Sequence, residues 1–175
     1  MSLILKSELL ARYAKRNLKE NHKFRSFVKH HLDLSDTRVD ATVRKVTEGI
    51  WAKVDCLDCG ACCKGLQIAI DDEDIQRLAK RLKMTIRNFE NRFVVKSSDN
   101  EKSLASPPCP FLDGNTCTVY EDRPKACKDF PYLYEPHFRG RMLMLIDNTF
   151  LCPIVFNTVE ALKAEFGFAR KNKLG

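Results

Sequence analysis

The sequence predicts an α+β protein, mainly helical, with N-terminal helices packed on a loop-rich, cysteine- and metal-centred module that has short strands and a C-terminal helix. Three observations carry this. Apolar residues recur at steps of three and four through the first fifty residues and again near the end. Strand-like alternation occurs only in short runs. Residues 55–131 hold seven of the eight cysteines and five of the seven prolines, a composition poor in regular backbone ladders. The expected organisation is a helical segment over 1–54 and a cysteine-cluster module over 55–175, integrated as one domain.

The elements follow in order. Leu5, Leu9 and Tyr13, with Leu10, Ala14 and Leu18 beside them, predict a first helix. A second is expected over residues 21–31, with Phe24, Phe27 and Val28 inward. Ser35 or Asp36 can cap a third, on which Val39, Val43, Val46, Ile50 and Val54 share a stripe and Gly49 is tolerated. Trp51 is expected to pack where that helix meets the cysteine cluster.

The run Leu66-Gln67-Ile68-Ala69-Ile70 alternates like a short strand. Asp71-Asp72-Glu73-Asp74 then opens a helix carrying Ile75, Leu78, Ala79 and Leu82, with acid in its first turn and base in its last, as the helix dipole favours. Thr85 can cap another, packed through Phe89 and Phe93. From Lys96 the chain reads as loop, with an Asp113-Gly114 turn and a short helix around Cys127 that Pro124 starts and Pro131 stops. Residues 141–146 read as a strand. A terminal helix follows Cys152-Pro153, through Val155, Val159, Ala161, Leu162 and Phe166.

No apolar run is long enough to span a bilayer, and the start lacks the h-region and cleavage site of a signal peptide, so the expected location is the cytoplasm. In a reducing compartment, cysteines serve as metal ligands or redox thiols more readily than as disulfides. Residues 1–54 carry 12 Lys/Arg against 6 Asp/Glu, whereas the remainder is nearly balanced. The basic residues are interleaved with apolar ones. They suit solvated helix faces or a protein partner, and no groove-reading or stacking motif for nucleic acid accompanies them.

Cys56-x2-Cys59-x2-Cys62-Cys63 is the strongest signal. Thiolates are soft donors suited to zinc and to iron–sulfur clusters, and cysteines two residues apart can turn their sulfurs toward one centre. Gly60 gives that loop conformational freedom. Cys109, Cys117, Cys127 and Cys152 are the remaining donors and must converge through the fold. Lys64, Arg123, Lys125 and Lys128 lie beside cysteines and could offset thiolate charge. No Ser/His/Asp set, carboxylate pair or phosphate loop marks a reaction.

The octad Cys56-Leu57-Asp58-Cys59-Gly60-Ala61-Cys62-Cys63 resembles the signature of the CxxCxxCC (YkgJ-like) family of proposed zinc or iron chelators. Pro108-Cys109-Pro110-Phe111-Leu112 and the stretch from Cys117 to Cys127 match its second block, and Phe130-Pro131 and Cys152-Pro153 complete it. The resemblance implies that all eight cysteines are metal ligands, holding an iron–sulfur cluster or zinc in one or two all-cysteine sites. An iron–sulfur enzyme, an electron carrier or a protein-modifying activity is the alternative, and a basic nucleic-acid-binding module a weaker one. Some relatives carry the module within lysine methylases acting on flagellin; this chain has no glycine-rich methyl-donor site.

Overall fold

The computed structural model describes residues 3–168. It is mainly helical with short antiparallel strands, as the sequence predicts. The chain forms two compact units, one from the residues up to Asp55 together with those from Pro131 onward, the other from Cys56–Phe130.

The helical unit contains α1 (Ser7–His30), α2 (Asp36–Trp51), α8 (Phe138–Asn148) and α9 (Pro153–Glu165). The two helices expected before residue 32 are one. Nothing in α1 breaks the period, and Leu10, Ala14, Asn21, Phe24 and Val28 form one buried line along it. Leu5 and Leu9, expected in that stripe, lie on the exposed side. Ser35 caps α2 by accepting from the Arg38 N–H at 3.3 Å, and Val39, Val43 and Thr47 face the core. Trp51 packs on the Tyr134 ring at 5.8 Å.

The strand expected over residues 141–146 is instead part of α8. Phe138, Met142, Leu145 and Ile146 are buried at helical spacing, while Leu143 and Met144 are exposed. Its apolar run is too continuous to reveal a period in the sequence. The start of α8 is fixed from outside, where the Asp40 carboxylate accepts the His137 and Phe138 N–H groups, each at 2.9 Å. Arg139 then donates to the carbonyls of Val28, Leu32 and Leu34, so it holds the α1–α2 connection.

In α9 the Asn157 side chain accepts from the Ile4 N–H at 3.0 Å and donates to the Ile4 carbonyl at 2.9 Å. Lys163, 1% exposed, donates to Glu160 at 2.6 Å and Glu20 at 2.9 Å. A lysine is buried this deeply only when paired.

The cysteine unit contains α3 (Cys56–Cys59), α4 (Ala61–Gly65), α5 (Asp72–Arg81), α6 (Ile86–Phe93), a hairpin of β1 (Val94–Lys96) and β2 (Lys102–Leu104), a smaller hairpin of β3 (Leu112–Asp113) and β4 (Thr116–Cys117), a 3₁₀ turn (Tyr120–Asp122) and α7 (Lys125–Asp129). Its core is Ile70, Ile75, Leu78, Ala79, Phe89, Leu104, Phe111 and Val119. Phe89, Phe93 and Phe111 pack mutually with centroids 5.0–6.2 Å apart, Phe89 stacked on Phe111 and Phe93 tilted against both. Burying one such side chain contributes about 1.5–3 kcal/mol.

Asp71 caps α5 through the Asp74 N–H at 2.7 Å, and Thr85 caps α6 through the Asn88 N–H at 3.2 Å. The expected strand at residues 66–70 is reduced to one bridge, Ala69 to Ser103, flanked by Ile70 N–H to Lys102 and Leu104 N–H to Ile68. The β1–β2 hairpin lies partly where loop was expected. Three-residue strands carry too little alternation to be seen in sequence.

Candidate metal centre

Seven of the eight predicted cysteines fall in the cysteine unit: Cys56, Cys59, Cys62, Cys63, Cys109, Cys117 and Cys127. Cys152 belongs to the helical unit, buried at the N-cap of α9. No disulfide occurs among the described residues.

Local hydrogen bonds explain how distant cysteines are gathered. Gly60 adopts φ +57° between α3 and α4, where a glycine meets little strain. That turn lies against the β3–β4 tip, and a Cβ on Gly60 would come within 3.1 Å of Asn115 Cα and O. Asn115 donates to the Asp58 carbonyl at 2.8 Å and accepts from Lys64. The tip of one hairpin thus clasps the cysteine loop from both ends. Next to it the Cys109 N–H donates to the Cys63 carbonyl at 2.8 Å.

Cys109 and Cys117 share an arrangement. Each lies two residues before a core side chain, Phe111 and Val119, 5% and 3% exposed. Burial raises the pKa of both thiols, and the backbone N–H of that core residue, directed at the cysteine sulfur, offsets part of the rise. Amide donation to sulfur favours the thiolate. The two strands are joined further by Thr118, whose N–H and hydroxyl both donate to the Phe111 carbonyl, at 2.9 and 3.0 Å.

The electrostatics group the sulfurs. Burial pushes the Cys127 thiol up to about 12, with the nearby charges of Cys63, Cys109 and Cys117 adding to it. Burial likewise raises Cys109, with Cys63 and Cys117 contributing, and Cys117, with Cys63 contributing. Cys63 is raised first by its contact with Cys62, Sγ to Sγ 4.0 Å, and then by burial. Cys63, Cys109, Cys117 and Cys127 therefore lie within electrostatic reach of one another, with Cys62 touching the first.

Two of the basic residues singled out in the sequence, Arg123 and Lys64, face these thiols. Arg123, its guanidinium stacked on Tyr120 at 3.9 Å, offsets part of the rise in Cys117 and Cys127, and Lys64 does the same for Cys63. Lys125 is paired with Asp129.

Among the described residues, no three Cys, His, Asp or Glu side chains stand close enough to grip an ion together. The donor chemistry nevertheless fits zinc or iron. The gathered thiols are soft, three receive amide N–H groups, and a guanidinium offsets their charge.

A family model described as "CxxCxxCC: Putative zinc- or iron-chelating domain" matches residues 55–152. The chain belongs to the CxxCxxCC family. The family match opens one residue before Cys56 and closes on Cys152, so it spans all eight cysteines. No solved structure matches the chain at a significant level. Among the described residues no helix is long and apolar enough to cross a membrane.

Sequence reasoning missed Asn115, Asp74 and Arg77. Asn115 follows the Asp113-Gly114 turn and carries no metal signal of its own. Asp74 and Arg77 read as ordinary members of an amphipathic helix.

Proposed function

We propose that this protein holds zinc or an iron–sulfur cluster on an all-thiolate centre built from Cys63, Cys109, Cys117 and Cys127. The observation that carries this is the mutual electrostatic reach of those four thiols, three of them from separate segments of the chain beyond the cysteine octad. Four thiolates suit a tetrahedral ion and equally the corners of an iron–sulfur cluster. Cys56, Cys59 and Cys62 lie on the adjacent turns and supply thiolates for a second ion or a larger cluster. When bound, the group supplies cross-linking of the loops, and redox chemistry if it contains iron. The chain's own residues gather the sulfurs, donate N–H groups to them and offset their charge through Arg123 and Lys64.

Purification without oxygen, followed by measurement of iron, zinc and acid-labile sulfide and a visible spectrum, tests this. At least one equivalent of metal per chain is expected, and Cys63→Ser should lower it. Folded, reduced protein with no metal, or unchanged content in Cys63→Ser, would overturn the reading.

A further inference from the structure

Asp74 is 2% exposed, yet its carboxylate is not turned to the N–H groups of its own helix. It accepts the Lys125 N–H with both oxygens, at 3.0 and 3.3 Å, and pairs with Arg77. Arg77 in turn donates to the Asp122 carbonyl at 3.2 Å and the Arg123 carbonyl at 3.1 Å. One ion pair on α5 thus grips residues 122, 123 and 125. Lys125 opens α7, whose N-cap residue is Pro124, a residue with no side-chain acceptor. The carboxylate of Asp74 supplies the missing cap from another helix. Cys127 stands two residues further on, its N–H donating to the Pro124 carbonyl at 2.9 Å.

We infer that Asp74, with Arg77, is a positioning pair that fixes the Cys127 sulfur toward Cys63, Cys109 and Cys117; this rests on the four-thiolate centre proposed above. Helix α7 has only five residues and its flanking residues are prolines or extended, so it has little stability of its own. A buried carboxylate clamped by a guanidinium has one orientation, and that orientation is passed to the first turn of α7. Outer partners of this kind are worth about 10- to 100-fold in metal affinity.

Anaerobic cobalt(II) titration of the full chain tests the inference, since thiolate-to-cobalt absorption reports how many sulfurs are bound. The variants are Asp74→Ala, Cys127→Ser and the double variant. Asp74→Ala should bind cobalt at least tenfold more weakly, with thiolate absorption reduced by about a quarter, as for loss of one of four ligands. In the Cys127→Ser background the same change should have no further effect, because the two residues act as one unit. An unchanged Asp74→Ala, or a loss of equal size with and without Cys127, would overturn the positioning role. If Asp74→Ala does not fold, Arg77→Lys, which leaves the carboxylate on Lys125, replaces it in the same cycle with a smaller expected loss. Wild-type protein lacking thiolate-to-cobalt absorption would instead overturn the metal-centre reading itself.

Discussion

Gly60 faces Asn115 across two loops that are 55 residues apart in sequence, so closely that a Cβ on Gly60 would come within 3.1 Å of the Asn115 backbone. The substitution Gly60→Ala meets both a left-handed backbone and a 3.1 Å approach to backbone atoms. It is expected to cost about 1–3 kcal/mol. Urea denaturation of metal-free protein measures this; an unchanged midpoint would remove the contact from the account.

Asn115→Ala removes the bonds to Asp58 and Lys64 while leaving the turn backbone intact. A loss of about 1 kcal/mol in stability is expected. A larger loss in metal affinity should accompany it, because the clasp holds the cysteine octad. Competition with a chromophoric chelator gives that affinity.

Metal removal should act locally. The helical unit has a core of its own, including Leu10, Ala14 and Phe156, whereas the segment from Ser97 to Pro131 holds few ladder bonds. Amide exchange after chelation should therefore accelerate across residues 107–127 and stay slow in α1, α2, α8 and α9. Equal acceleration everywhere would contradict this.

Lys102 links Asp72 at 2.6 Å and Glu90 at 2.9 Å, which ties β2 to α5 and α6. The bond to Lys102 holds the Asp72 carboxyl below its ordinary pKa, and the bonds to Asp72 and Glu90 raise the Lys102 ammonium. A lowered carboxyl stabilises the fold at neutral pH, and that contribution is lost as pH falls through the lowered value. A raised lysine stabilises below its ordinary value, and this is lost as pH rises through the raised one. Lys102→Met should flatten both limbs of a stability–pH profile, modestly, since the groups are solvated. An unaltered profile would exclude the linkage.

Lys163 gives the largest single-site effect. Lys163→Ala removes the buried ammonium that pairs with Glu160, itself 5% exposed, and should cost about 3–5 kcal/mol. Lys163→Met combined with Glu160→Leu should recover most of that stability, which thermal unfolding can read.

Much of this was legible in the sequence, and the exceptions have physical causes. Helices α2, α5, α6 and α9 have clear periods, and α2, α5 and α6 also have a capping side chain, so their residues announce them. Residues 141–146 of α8 resemble a strand in sequence because the stripe is hidden in a continuous apolar run and the cap, Asp40, is almost a hundred residues away. The sequence divides α1 at residue 21, whereas Asn21 is a buried mid-helix residue in line with the apolar stripe. The cysteines mark the candidate site in the sequence because thiolates are donors that zinc and iron–sulfur clusters take. Asn115, Asp74 and Arg77 stayed hidden because they act through backbone groups, whose partners no sequence pattern names.

The placement of Phe111 and Val119 two residues after Cys109 and Cys117 has a further consequence. Hydrophobic packing serves as the ruler for the sulfurs, and the spacing between each cysteine and its core residue is the graduation that cannot change. Inserting one residue between Cys109 and Phe111 would rotate the thiol away from its neighbours, and an insertion beside Gly114 would displace Asn115 from the Gly60 turn. Length along this stretch is thus fixed both at the cysteines and at the tip of the hairpin.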